Sequence, residues 1–252
     1  MEGLWPRLCL PAAIDNNTPM STVFQTRRGV TLVGGGAVDS WLLRLALSHA
    51  PDLAAADSGA DRVLALGHTP RAVIGDLDSI SATARAALPA EALHRITDQA
   101  TTDFDKALRG LAAPFVIALG FTGARLDHTL AAFNTLARHP GRNCILIAGG
   151  DLCFLAPSRL RLALAPGTRL SLFPFSAVRA RSTGLEWPLA GIDFAPWGMT
   201  GISNRVTAPM AEMVIEQGRM LVILPLDTLG TAISALARPG APRAAPSPAR
   251  GG

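Results

Sequence analysis

Aspartates dominate the residues of this 252-residue chain that could do chemistry, and they occur in short, patterned blocks. Asp76 and Asp78 stand in Gly75-Asp76-Leu77-Asp78-Ser79, and side chains two apart on an extended segment project to one side. Two hard oxygen ligands so placed suit a divalent cation, with Mg²⁺ as the natural occupant. The plain alternative is a pair of solvent-facing turn aspartates, with Ser79 capping the helix that follows. Asp57, in Ala56-Asp57-Ser58-Gly59-Ala60, adds a third carboxylate and favours the cation.

The block Thr101-Thr102-Asp103-Phe104-Asp105-Lys106 reads as a helix start, with Thr102 as N-cap and acids in the first turn. Lys106 is the only lysine of the chain. A cation this near the positive end of a helix needs a negative neighbour, which a bound phosphate would supply. Further on, Gly120-Phe121-Thr122-Gly123-Ala124-Arg125-Leu126-Asp127-His128 carries two glycines that let backbone amides approach an anion. There the Arg125 fork suits phosphate oxygens, with Asp127 beside it. Taken singly, that stretch is an ordinary loop with an Arg125–Asp127 surface pair. Together, Asp57, Asp76, Asp78, Asp103, Lys106, Arg125 and Asp127 describe a site for a metal and a phosphate.

What must position these groups is an alternation of short apolar runs and helical segments. Residues 30–33 end at Gly34-Gly35-Gly36 and precede a helical 38–47, while 53–56 lead into Asp57 and a helical 60–66. Residues 72–74 lead into Gly75 and a helical 82–88, and 115–119 lead into Gly120 and a helical 129–138. Residues 144–148 then run into Gly149-Gly150-Asp151. This alternation predicts an α/β fold, a doubly wound parallel sheet covered on both faces. In such sheets ligands bind beyond the carboxyl ends of the strands, where the acids follow. After Ser158 the helical period gives way to short runs at 169–173, 177–180, 212–215 and 220–224, which predict a small all-β sandwich or barrel.

The expected organisation is therefore a poorly ordered extension over 1–28, with Met20 a candidate start, and an α/β domain over 29–158. A β-sandwich domain over 159–229 and a disordered Pro/Ala/Arg-rich tail over 230–252 complete it.

Composition narrows the function classes. Hydrophobic residues are 49% and charged residues 17%, which excludes disorder for most of the chain, and no apolar run reaches membrane-spanning length. Cys9, Cys144 and Cys153 show neither paired nor metal-ligand spacing, which fits a reducing cytoplasm, and no export signal is legible. The tail residues Arg238, Arg243 and Arg250 carry most of the excess positive charge, and without them the net falls from +4 to +1. A nearly neutral body argues against nucleic acid. Neither a P-loop nor a complete G-x-G-x-x-G is present.

The blocks quoted above, with Asp105-Lys106-Ala107-Leu108, Gly184-Leu185-Glu186-Trp187-Pro188-Leu189 and Gly201-Ile202-Ser203-Asn204, occur in the order found in the thiamine pyrophosphokinase family, which the chain resembles from about residue 30 to 224. The resemblance implies an α/β nucleotide domain, a β-sandwich, and a homodimer holding thiamine at the subunit interface. It implies transfer of pyrophosphate from ATP, as co-substrate, to the thiamine hydroxyl, releasing AMP. By motif, Asp57, Asp76, Asp78 and Asp103 would surround Mg²⁺ and the ATP phosphates. Ser58, Gly59, Lys106 and Gly123 would join the nucleotide site, with Arg125 and Asp127 completing it. Gln99 would meet the pyrimidine, and Trp187, Ser203 and Asn204 would come from the partner subunit, where an indole face suits a pyrimidine and a cationic thiazolium. Rival readings are a related pyrophosphotransferase for another heterocyclic alcohol, and a binding protein without catalysis, for which an acid of the set would be missing.

Overall fold

The apolar runs that lead into the acids are buried at every position, because helices and sandwich strands cover both faces of their sheet. The computed structural model describes residues 22–123 and 125–237. Cys9, Met20, Ala124 and the tail arginines lie outside the described residues, so the expectations placed on them do too.

In chain order the first part comprises β1 (Phe24–Gln25), β2 (Val30–Val33), α1 (Ser40–His49), β3 (Asp52–Ala56), α2 (Gly59–Ala65) and β4 (Ala72–Gly75). It continues with α3 (Ala82–Ala87), β5 (Leu93–Arg95), α4 (Asp103–Gly110), β6 (Leu111–Ala112), β7 (Val116–Leu119), α5 (Leu126–Arg138) and β8 (Cys144–Ala148). Strands then dominate: β9 (Asp151–Leu155), β10 (Arg159–Ala163), β11 (Arg169–Pro174), β12 (Arg179–Thr183), β13 (Gly201–Arg205), β14 (Met210–Gln217) and β15 (Met220–Pro225). Helix α6 (Leu229–Leu236) closes the described chain.

Pairs β2–β7, β7–β8, β3–β4 and β4–β5 are parallel, as the strand-helix alternation predicts. Strand β3 lies beside β2, where the Asp52 N–H donates to the Gly29 carbonyl at 3.3 Å. The sheet does not stop at the expected boundary near 158. Strand β9 pairs antiparallel with β8, and the order runs on as β13-β11-β15-β9-β8-β7-β2. A second sheet, β10-β14-β12, faces it. Leu160, Leu162 and Met213 of that sheet share one core with Leu170, Val222, Phe154 and Ile145 of the long sheet and with Leu43 of α1. The connectivity changes from βα to all-β there, while the hydrophobic core is continuous.

Two expectations for the ends are corrected. Within 1–28, β1 pairs parallel with β6, so residues 24–25 are part of the fold. At the other end α6, which starts at Leu229 and runs into the segment expected to be a disordered tail, buries Leu229, Ala232 and Leu236 against the sandwich, because its apolar spacing of three and four makes one helical face. The cap assigned to Ser79 belongs to Ser81, whose hydroxyl accepts from the Ala84 N–H at 3.0 Å. Ser79 instead donates to Asp78 at 2.9 Å.

At the amino ends of the strands Asp52 is fully buried and accepts from Thr26, Arg28 and Arg71. Burial alone would raise its pKa, but these hydrogen bonds outweigh burial and bring the carboxyl down to about 2. A depressed carboxylate contributes stability above its unfolded value of 3.8 and loses it as pH falls toward 2. Asp52→Asn should therefore lower stability at pH 7 by about 2 kcal/mol, a deficit that shrinks as wild type is acidified from pH 4 to 2. Urea unfolding of both proteins across that window checks it; a pH-independent difference would assign Asp52 no such linkage.

Candidate active site

Several strand ends deliver their loops to one edge. The Gly36 N–H donates to the Gly120 carbonyl at 2.9 Å, joining the loops after β2 and β7. At Gly59 an added Cβ would lie 2.0 Å from the Val33 carbonyl oxygen, so only glycine lets α2 start this close to the end of β2. The Asp57 N–H donates to Ile74 at 3.2 Å, tying the ends of β3 and β4. Ser58, next to Gly35, is the N-cap position of α2 and makes no side-chain cap bond.

Asp57 sits at φ 44°, a left-handed conformation that Asp tolerates better than most residues. It is only 2% exposed, and neither of its carboxylate oxygens has a hydrogen-bond partner. One oxygen each from Asp57, Asp76 and Asp78 lie within 4.8 Å of one another. Asp103, the first residue of α4, stands beside them: a Cβ on Gly75 would be 3.2 Å from its Oδ1 and 3.1 Å from the Asp57 Cβ. The Thr102 hydroxyl caps α4 by accepting from Asp105 N–H, as the sequence predicts.

Lys106 is nearly enclosed, and its Nζ donates to Asp76 Oδ2 at 2.9 Å and to Asp103 Oδ1 at 3.1 Å. Within the described chain the negative neighbours that this lysine requires are the Asp76 and Asp103 carboxylates. Burial works against its charge, but the two carboxylates hold it protonated. Asp76, hydrogen-bonded first by Lys106, is held down to about 2. Asp57 moves the other way: burial, then the neighbouring Asp76, Asp103 and Asp78 carboxylates, push it up to about 7. One lysine against four carboxylates leaves negative charge at the floor of the site, and a buried carboxylate lacking donors is the arrangement that a divalent cation satisfies. The residues fit Mg²⁺ in donor type and placement.

The remaining predicted residues fall into two groups. Arg125 and Asp127 bond to each other at 2.6 Å, with side chains 69% and 66% exposed, and among the described residues neither bonds to the acidic centre. They stand at the start of α5, beyond β7, with Gly123 at φ 149° before them. This is the surface pair that the segment suggests when taken singly. Gln99 is exposed on the loop before α4. Trp187, Ser203 and Asn204 lie together in the sandwich. Asn204 is buried, donating its amide to the Trp187 carbonyl at 2.8 Å and accepting from the Trp187 N–H at 3.2 Å, so it holds the backbone under a Trp187 side chain that is half-exposed. Ser203, at φ 61°, donates its N–H to the Ser171 hydroxyl at 2.9 Å.

Sequence reasoning missed the network behind α4. Asp105, 1% exposed, meets Arg109 Nε at 2.8 Å, Arg138 at 3.1 Å and His139 Nε2 at 2.7 Å. Arg109 also reaches Asp98 at 2.8 Å, and Asp98 accepts from Ala100 N–H and the Thr101 hydroxyl, which fixes the loop that carries Gln99. The i, i+4 spacing of Asp105 and Arg109 was the available signal. His139, which reads as a helix-end residue without partners, comes to Asp105 only because α5 packs on α4.

An open sheet with acids at its strand ends, joined through one core to a β-sandwich, defines an α/β-plus-sandwich protein with an acidic centre. Residues 43–147 match the family model described as "Thiamin pyrophosphokinase, catalytic domain". "Thiamine pyrophosphokinase 1" of Arabidopsis thaliana is 27% identical over 158 residues, 55% of this chain and 59% of the relative. The match thus spans about three-fifths of that relative's length. "Thiamine pyrophosphokinase 1" of Oryza sativa subsp. japonica is 25% identical over 185 residues, 60% of this chain and 70% of the relative. Among solved structures, the Bacillus subtilis thiamine pyrophosphokinase superposes with TM-score 0.65 at 22% identity, covering 79% of this chain and all of that one. The Candida albicans thiamin pyrophosphokinase gives 0.65 at 16%, covering 79% and 89%. The solved structures share the fold. Among the described residues no helix is long and apolar enough to cross a membrane.

Proposed function

We propose that this protein is a thiamine pyrophosphokinase: it transfers the pyrophosphoryl group of ATP to the hydroxyl of thiamine, giving thiamine diphosphate and AMP. The observation that carries the reading is Asp57, buried with both oxygens unpartnered beside Asp76, Asp78 and Asp103, inside the segment that matches the family's catalytic domain. In this reading residues 29–158 supply the nucleotide side and 159–229 the thiamine side. Mg²⁺, held by Asp57, Asp76, Asp78 and Asp103, would neutralise phosphate oxygens.

The chain's own groups bind, orient and accept a proton. Lys106 fixes the orientation of Asp76 and Asp103. The glycine loops at 34–36 and 120–123 bring backbone to the edge where polyphosphate would lie. Arg125, once released from Asp127, would counter phosphate charge. The thiamine oxygen bonds to the β-phosphorus, the bridging P–O bond to the α-phosphate breaks, and AMP leaves with that oxygen. Asp103 or Asp127 takes the hydroxyl proton.

The homodimer belongs to the same reading. Strand β13, with Ser203 and Asn204, stands at the far end of the sheet from β4, and eight strand spacings put the two on the order of 30–40 Å apart. Trp187 of one chain therefore serves a site whose acids lie in another, and Trp197, Met199 and Ile202 expose apolar surface nearby for that contact. A reducing cytoplasm suits the free, buried Cys144 and Cys153.

The decisive experiment follows AMP and thiamine diphosphate by chromatography from ATP, Mg²⁺ and thiamine, with EDTA and no-thiamine controls. The expected result is stoichiometric, Mg²⁺-dependent formation of both. ADP with thiamine monophosphate would reject pyrophosphoryl transfer, and turnover of another heterocyclic alcohol in preference to thiamine would reject the acceptor.

A further inference from the structure

The turn between the two carboxylates is unusual backbone. Leu77 has φ 63°, a left-handed conformation that costs a non-glycine residue about 1–3 kcal/mol unless its surroundings hold it. Two contacts hold it. The Leu77 side chain is buried among Ala60, Val73, Ile80, Ala84 and Leu88. Its carbonyl oxygen accepts a hydrogen bond from Arg85 Nη2 at 2.5 Å, reaching back from α3. Helix α3 is itself anchored, because Ser81 at its N-cap donates its hydroxyl, and its backbone N–H at 3.1 Å, to Asp61 of α2. The helix that follows Asp57 and the helix that follows Asp78 are thereby tied together at their starts.

Arg85 is exposed on α3, where an ordinary arginine would be solvated or paired with an acid. Here its guanidinium is directed at a single backbone carbonyl, the one between Asp76 and Asp78. Without that donor the Leu77 peptide has one less reason to stay left-handed, and relaxation of φ by rotation would swing Asp76 and Asp78 off the point they share with Asp57. We infer that Arg85 is a positioning residue for the Asp76 and Asp78 carboxylates, acting through the Leu77 carbonyl. The inference rests on reading Asp57, Asp76 and Asp78 as a divalent-cation site, and it concerns a residue that touches neither the cation nor a substrate.

The test measures Mn²⁺ binding to the full chain, without nucleotide, from the electron paramagnetic resonance signal of free Mn²⁺, with thermal melting alongside. Wild type, Asp76→Asn, Arg85→Met and Arg85→Lys are compared. Arg85→Met should weaken Mn²⁺ about tenfold with little change in melting, and Arg85→Lys, which restores a donor, should recover part of the loss. Equal Mn²⁺ affinity in wild type and Arg85→Met, with Asp76→Asn weakened, overturns the inference and leaves the cation site standing. Wild type binding no more tightly than Asp76→Asn overturns the cation site, and the inference with it. Should Arg85→Met melt early, Arg85→Gln takes its place with the same outcomes.

Discussion

Asp76→Asn should lower turnover by on the order of 10²-fold or more while leaving the melting temperature within a few degrees of wild type. The kinetic loss follows from geometry: Asp76 is one of three acids whose oxygens converge within 4.8 Å, and it carries a full negative charge because Lys106 holds its carboxyl down to about 2. An amide oxygen at that place is a weaker cation ligand and leaves the site one charge short. The fold survives because Lys106, which is buried, keeps Asp103 as a partner at 3.1 Å. The measurement is steady-state formation of thiamine diphosphate beside a melting curve. Near-normal turnover in folded Asp76→Asn would remove the metal assignment from this residue.

The largest expected loss of stability lies elsewhere, at Asp105. Burial works against its charge, but the bond from His139 and the charges of Arg138 and Arg109 outweigh burial and hold its pKa low. Asp105→Ala would remove the buried anion shared by Arg109, Arg138 and His139 while Arg109 keeps Asp98 at 2.8 Å, a change expected to cost on the order of 3 kcal/mol, or roughly 6–12 °C in melting temperature for a chain of this size. Asp105→Asn keeps the volume and should recover little, since charge and not shape is what the arginines require. A double-mutant cycle with Arg109→Met should show strong coupling, because the two side chains meet at 2.8 Å. Additive effects would mean that the pair contributes little and that packing alone holds α4 on α5. The contrast with Asp76 is instructive: two acids near one helix end, one whose loss should stop turnover and one whose loss should melt the protein.

Much of this was legible from spacing alone. Apolar runs of strand length ending in Asp57, Gly75 and Gly120 announced a parallel sheet with its chemistry at one edge, because side chains at strand ends must face the crevice there. Thr102 as a cap is a local pattern that a few residues set by themselves, whereas Asp76 and Asp78 come together through a left-handed turn at Leu77 and not through the extended period-two geometry that their spacing suggests. The helix α6 was missed because the Pro- and Arg-rich segment after it masked its apolar stripe, and β1 because a two-residue strand carries no period.

The sequence by itself determined which residue types are available and in what local order: the acids after the strands, the lone Lys106 at a helix start, the glycines where chain segments meet. Tertiary structure decided what each of them faces. Lys106 meets Asp76, thirty residues away; His139 meets Asp105 across two helices; Asn204 gives its amide to the Trp187 backbone. Those pairings depend on how sheet and helices close over one another, and no local spacing encodes the distance between residues on different elements. The same holds for Asp57, whose carboxylate is a chemical signal because it is buried without a donor, a property of the packed chain and not of the motif in which it stands.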